Sequence, residues 1–316
     1  MPPRLDKLDP LLARLDNLLA GMPLSPSSKT VVERWRSDAA ALRFHLRPRP
    51  KDQPLLAAVI GGTGTGKSTI VNRLLGVSAS ATSFRRTFTG GAVAVAREAG
   101  DVPGGWLGVE HVIATPDRLP ARGQAGALVI VPRAALAEAP AHEELLSSVV
   151  LIDTPDPDGD QPAHHAEADR VFRWAQAIVF LVTPEKYQMT ELLPYYRLAA
   201  RYGLPALFVM NKCEEQAVAE DYREQLMGAG FGGQGSGEEA EDAGTGRRGD
   251  AGTEDIGGET AGRESIFPAS PRPRVPVSSS PLASLFIVPR DDAGYDAPQN
   301  ENLSALRTAL AELSTQ

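Results

Sequence analysis

The nine residues Gly61-Gly62-Thr63-Gly64-Thr65-Gly66-Lys67-Ser68-Thr69 constrain this chain more than any other stretch. They match the pattern G-x-x-x-x-G-K-[ST]. The apolar run Leu55 to Ile60 leads into them and reads as a buried strand, and Ser68 to Leu75 follows as a helix. Strand, glycine-rich loop and helix in that order separate a phosphate-binding loop from a chance match. Glycines let backbone N–H groups curl inward as donors, and the helix start adds the positive end of its dipole. An anion carrying several phosphates is the ligand such a curl suits. Lys67 then reaches the outer phosphates, and the Ser68 hydroxyl faces a Mg²⁺ ion.

The rest of the chain must supply a sheet around that strand. Apolar runs alternate with helical patterns, the mark of an α/β sandwich with a mostly parallel sheet and crossover helices. Further strands are expected at 92–96, within 107–114, at 127–131, at 148–152 ending on Asp153, at 177–182, 206–210 and 285–288. Helices are expected at 164–175, 189–202, 215–227 and 301–314. Ahead of this pattern, residues 1–50 read as a helical hairpin. Leu5, Leu8, Leu12, Leu15, Leu19 and Met22 share one helical face, and Val32, Trp35, Ala39, Leu42 and Leu46 share another. Gly21, Pro23 and Pro26 are read as stops between them, and Thr30 with Glu33 as a capping box for the second helix. The two stripes either pack on each other and on the domain behind them, or form a seam for a partner helix. Residues 228–283 break the pattern with glycine, acidic residues, serine and proline, and are expected to be a disordered surface insertion. The division is therefore 1–50 hairpin, 51–227 main domain, 228–283 insertion, and 284–316 last strand and helix of the main domain.

Charge and cysteine usage narrow the setting. The 316 residues carry a net charge of -8, which argues against a surface given over to nucleic acid, so no direct nucleic-acid contact is expected. The single cysteine, Cys213, fits a reducing compartment. No apolar run approaches the ~20 residues that cross a bilayer, and the N-terminus lacks the pattern of a secretory signal. A soluble, cytoplasmic protein is expected.

Two further stretches lie where a nucleotide would be gripped. Val149 to Ile152 is an apolar strand ending in Asp153-Thr154-Pro155-Asp156, and Ala206 to Met210 ends in Asn211-Lys212-Cys213-Glu214. With the loop, these two stretches resemble the switch and base-reading elements of translation-factor-type P-loop GTPases, of the Era-like and bacterial dynamin-like branches. Gly66 to Gly76, reading G-K-S-T-x-x-N-x-L-L-G, is common in that group. Asp153-Thr154-Pro155 is similar to the start of its D-x-x-G element, and Asn211-Lys212-x-Glu214 to its N-K-x-D. The resemblance covers about 55–230 and 283–314.

The resemblance implies GTP or GDP with Mg²⁺ as cofactors. Gly61, Thr63, Gly64, Thr65, Gly66, Lys67, Ser68 and Thr69 would cradle the phosphates, and Asp153 would hold Mg²⁺ with Ser68. Asn211 would brace the loop and touch the base, the Lys212 stem would cover the purine, and the Glu214 carboxylate would accept the two guanine donors that adenine lacks. Arg290, after the last strand, would shield the base. In Phe84-Arg85-Arg86-Thr87-Phe88-Thr89, Thr89 (or else Thr87) would close on Mg²⁺ and the γ-phosphate. Arg86 or Arg85 would serve as an arginine finger. Several departures from the family pattern bear on the chemistry. Asp156 stands where the family glycine offers its N–H to the γ-phosphate, and Pro157 where a glutamine often orients water. Glu214 is one methylene longer than the usual aspartate, which weakens the expected guanine preference.

The expected activity is a GTP-binding switch with slow hydrolysis, on the order of 10⁻⁴ to 10⁻² s⁻¹ without an activator. Lys67, Thr89 and Arg86 are its candidate catalytic residues. A nucleotide-bound scaffold that does not hydrolyse is the alternative, and a P-loop ATPase a weaker one. A homodimer or partner protein docked through the N-terminal helices and switch loops, and peripheral membrane contact, remain open.

Overall fold

Strand β1 (Leu55–Gly61) is buried at all seven positions, as expected of a strand covered on both faces. It sits inside an eight-stranded sheet in the computed structural model, which describes residues 5–82, 90–157, 162–231, 284–290 and 301–315. The other strands are β2 (Val93–Ala96), β3 (Glu110–Ile113), β4 (Ala127–Pro132), β5 (Val149–Asp153), β6 (Ala177–Val182), β7 (Ala206–Asn211) and β8 (Leu285–Val288). Their order is β3-β4-β2-β5-β1-β6-β7-β8. The run from β5 to β8 is parallel throughout. At β2 the direction reverses: β2 is antiparallel to β5, with Val93 opposite Asp153, while β4 and β3 run parallel to β2. All the expected strands are present, and the sheet is mostly parallel.

Helices cover both faces. They are α1 (Leu5–Ala20), α2 (Pro26–Leu46), α3 (Lys67–Leu75), α4 (Pro140–Leu146), α5 (Pro162–Trp174), α6 (Leu193–Tyr202), α7 (Gln216–Leu226) and α8 (Glu301–Ser314). On one face Leu55, Ala57 and Val59 pack with Ile70, Leu74, Leu146, Leu303, Leu306 and Leu310, from α3, α4 and α8. On the other, Leu56, Ala58 and Ile60 pack with Val171, Phe172, Tyr196, Tyr222 and Ala41, from α5, α6, α7 and α2. The result is the three-layer sandwich that the alternating pattern predicts.

The helical hairpin is present, but its second helix starts earlier than expected. Ser25, not Thr30, is the N-cap: its hydroxyl accepts the Ser28 N–H at 3.2 Å, and the Thr30 hydroxyl donates to the Pro26 carbonyl at 3.3 Å. Pro26 is therefore no stop. It opens α2 at the first helical position, where its missing N–H costs nothing. Helix α2 seats on the sandwich through Phe44 against Trp174 (5.4 Å between ring centroids), His45 to the Arg173 carbonyl (2.7 Å) and an Arg173–Asp38 ion pair. Helix α1 is tied to α2 by Arg36–Asp16 and Arg43–Asp9. Among its residues of described burial, Leu12 and Leu19 are half-buried, whereas Leu11, Leu15 and Leu18 are exposed, as is Met22 just after the helix.

Past α7 the helix continues as a π-helical turn, Met227–Phe231, and Phe231 packs on Phe208 with 4.8 Å between centroids. From 232 to 283 the expected insertion, with the Ile266-Phe267-Pro268 island, lies outside the described residues. Helix α3 is fixed at its far end as well. Arg307 of α8 donates from Nε to the Leu74 carbonyl and from Nη2 to that of Arg73, both at 2.8 Å, and Gly76 closes the helix at φ 72.

Candidate functional site

The loop joining β1 to α3 is shaped by close approach and by left-handed backbone. A Cβ on Gly61 would stand 2.2 Å from the Leu181 carbonyl oxygen of neighbouring β6, so only glycine fits. Gly64 (φ 77) and Gly66 (φ 95) adopt conformations that side chains disfavour. Thr65 is wholly buried, and its hydroxyl and N–H turn back to the Gly62 carbonyl at 2.8 and 3.2 Å. Gly66 caps α3, whose first α-helical bond runs from the Ile70 N–H to the Gly66 carbonyl. The preceding N–H groups of that first turn have no partner within the helix, which makes the turn an anion site. Lys67 lies over it with only 6% of its side chain exposed. Its ammonium donates to the carbonyls of Gly61 (2.7 Å) and Gly62 (3.3 Å) and to the Asp156 carboxylate.

Asp153 ends β5 beside this loop and is fully buried. Burial pushes its carboxyl above the ordinary range, and Asp156 adds to that push. The Ser68 and Ser80 hydroxyls and the Lys67 ammonium pull the other way. Oδ2 accepts the Ser80 hydroxyl at 2.6 Å, while Oδ1 is buried with no hydrogen-bond partner. An orphaned carboxylate oxygen beside a serine hydroxyl fits a hard divalent cation, which would also restore the charged form. No group of three His, Cys, Asp or Glu side chains able to cage a metal occurs among the described residues, so a cation here would take its remaining ligands from phosphates and water.

The end of β7 comes to the same rim. The Asn211 amide donates from Nδ2 to the Thr65 carbonyl at 2.9 Å, and the Lys212 ammonium reaches the Gly64 carbonyl at 3.3 Å. Lys212 itself is left-handed, at φ 59. Glu214 is exposed, and Cys213 is buried, its N–H held by the Val288 carbonyl at 3.1 Å. Burial raises the Cys213 thiol. Arg290, exposed after β8, lies within electrostatic reach of Glu185.

Two residues of this rim carry no role in the sequence reading. Lys186 donates to the Thr63 carbonyl at 2.7 Å, so a second lysine braces the loop beside Lys212. Glu185 is held below the ordinary carboxylate range by the Thr183 hydroxyl and its own amide, with Lys212 and Arg290 adding their charge. The signal for both is positional: they follow β6, which neighbours β1 and therefore ends on the same edge.

The segment expected to hold the first switch, with Arg85, Arg86, Thr87 and Thr89, lies outside the described residues, as do Asp158 and Asp160. Its two flanks are described, and one loop touches both. On the entry side, Ala121 exchanges backbone bonds with Ala79 and Ala81, each at 2.8 Å. Asn72 pins the same stretch, accepting the N–H groups of Ala79 (2.9 Å) and Ser80 (2.8 Å) and donating to the Ser80 carbonyl (2.7 Å). On the exit side the chain at Gly91 crosses the loop at Gly123-Gln124 so tightly that a Cβ on Gly91 would lie 1.9 Å from the Gln124 carbonyl oxygen, and one on Gly123 1.9 Å from that of Gly91. Loop, Asp153, Asp156, Asn211 and Lys212 are thus brought together. Asp156 is placed by its side chain on Lys67, a contact the expected backbone role does not foresee.

The fold is a three-layer α/β sandwich, its glycine loop leaving a central strand and the Asn211–Glu214 tetrapeptide lying at the end of a strand two places away. No family model and no curated protein matches the chain. Solved structures do resemble it. Era in complex with MgGDPNP and a stretch of 16S ribosomal RNA is 16% identical over 55% of this chain and 47% of that one, with a TM-score of 0.35. An Era variant from Aquifex aeolicus bound to GDP.AlF4- is 17% identical over 56% and 46%, at 0.33. A bacterial dynamin pair described as sensing and tethering membranes is 10% identical over 67% and 45%, at 0.38. The chain spans under half the length of each of these three.

Proposed function

We propose that this protein is a guanine-nucleotide switch that binds GTP and GDP with Mg²⁺ and hydrolyses GTP slowly. The observation that carries the proposal is the 2.9 Å bond from Asn211 to the Thr65 carbonyl. It ties the base-reading tetrapeptide to the phosphate loop, so one ligand spanning both would be a purine nucleotide. Lys67 and the first turn of α3 bind the phosphates, Lys212 and Lys186 hold the loop in shape, and Glu214 offers the acceptor pair that selects guanine. Arg290 closes the base side. Mg²⁺, held by Ser68 and Asp153, would neutralise charge on the phosphates. Thr69 completes the turn; Thr89 and Arg86 are proposed to close over the γ-phosphate. The division into hairpin, nucleotide domain and insertion, and a cytoplasmic setting for the lone Cys213, belong to the same proposal. No helix among the described residues is long and apolar enough to cross a membrane.

Calorimetry on nucleotide-stripped protein in magnesium buffer tests the binding half. Tighter binding of GDP than of ADP is the expected result, and a stronger signal with ADP refutes the base assignment. Phosphate release separates hydrolysis from its rival. The rival is a scaffold that holds nucleotide without turning it over, and the Lys67–Asp156 contact favours it. Bound GTP with no phosphate released over hours selects the scaffold.

A further inference from the structure

Asp156 stands at the position of the D-x-x-G glycine, and its carboxylate contacts the ammonium of the loop lysine. Both side chains are largely withdrawn from water, Lys67 at 6% and Asp156 at 15% exposure. A lysine ammonium has three hydrogens. Here three acceptors take them: the Gly61 carbonyl, the Gly62 carbonyl and the Asp156 carboxylate. We infer that the Asp156 carboxylate is a built-in stand-in for the terminal phosphate of a nucleoside triphosphate, and that it biases the site toward the diphosphate. The inference rests on the proposed nucleotide function and adds a specificity-determining residue to it.

The physical case is one of competition for a single cation. The two carbonyls belong to the loop and stay with it, so the Asp156 direction is the one through which Lys67 can greet an incoming anion. A third phosphate and a carboxylate cannot share it, because two anions a few ångströms apart in a partly desolvated pocket repel strongly. A diphosphate ends short of that position and leaves the ion pair in place. A triphosphate must evict Asp156 and give up a charge-assisted bond, one of the stronger kinds. The eviction is local. Thr154 is fixed by its hydroxyl to the Val59 carbonyl at 2.7 Å, so the end of β5 stays in place and the movement falls on the Asp156 side chain. A glycine there, having no side chain, would leave Lys67 open to either nucleotide.

The test is a ratio of affinities. Calorimetry in magnesium buffer compares GDP with a non-hydrolysable GTP analogue on wild type, Asp156→Asn and Asp156→Gly, with circular dichroism confirming that each is folded. Wild type is expected to prefer GDP by about tenfold or more, and both variants to bring the ratio within about threefold, mainly by gaining affinity for the analogue. A wild-type protein that binds the analogue as tightly as GDP overturns the inference, whether or not the variants fold. So does a ratio unchanged by Asp156→Asn. Absence of heat with GDP from wild type and variants alike instead refutes the nucleotide function itself.

Discussion

Replacing Gly66 by alanine should unfold the loop's link to the base motif, and the size of the effect follows from two distances and an angle. At φ 95, an L residue pays about 1–2 kcal/mol for left-handed backbone. Its Cβ would also lie 2.6 Å from Asn211 Nδ2, well inside contact. The amide is the end of a side chain and can retreat, but retreat breaks its 2.9 Å bond to the Thr65 carbonyl. Two buried polar groups then lose their partner, at about 1–3 kcal/mol. The total for Gly66→Ala is about 2–5 kcal/mol. Gly64 is the internal control. Its φ is 77, yet a Cβ there meets nothing within 4 Å, so Gly64→Ala carries the backbone cost alone, about 1–2 kcal/mol. Any gain from a stiffer unfolded chain is common to both and cancels. Urea unfolding of nucleotide-free protein should therefore place Gly66→Ala about 1–3 kcal/mol below Gly64→Ala. The extra loss should vanish when both are compared in an Asn211→Ala background, since the partner is already gone. Equal stabilities for the two alanine variants in the native background would refute the crowding argument.

Asn72→Ala should cost about 3 kcal/mol or more, because one buried side chain satisfies three backbone groups at 79–80; an unfolding midpoint within error of wild type would contradict that. High pH offers a separate probe of the opposite core face. Burial raises the hydroxyls of Tyr196 and Tyr222, which bond each other at 2.8 Å, and pushes Tyr195 up to about 12. Their folded values exceed the unfolded value of about 10, so this contribution is whole below pH ~10 and is lost as pH climbs beyond it. Tyr196→Phe should flatten that decline by up to about 1.4 kcal/mol per pH unit, and an unaltered slope in alkaline unfolding curves would count against the assignment.

Much of this architecture is written locally. The glycine loop, the strand ending at Asp153 and the Asn211-Lys212 pair each carry their own chemistry within a few residues, and they fall where the pattern puts them. What the pattern misses depends on distant partners. Pro26 reads as a breaker in isolation, but with Ser25 before it, it opens a helix. The long stretch 107–114 yields only Glu110–Ile113 as strand, because Trp106 is buried with its indole on the Trp174 carbonyl at 3.2 Å, and Leu107 takes φ 65. Lys186 looks idle until β6 is known to lie beside β1. Asp156 signals a departure by sequence, but only the fold shows which cation it meets.

The reversed direction of β2 has a mechanical consequence. Because β2 begins opposite Asp153, the chain leading into β2 and the loop before β4 meet on the rim that carries the glycine loop rather than on the far side of the sheet. Gly91 against the Gly123-Gln124 backbone leaves no slack at that crossing, so a shift of the rim cannot be absorbed there. It would travel outward across β4 to the outermost strand, Glu110–Ile113, three strand spacings or about 14 Å from β5. Motion at the rim would then arrive as a displaced sheet margin.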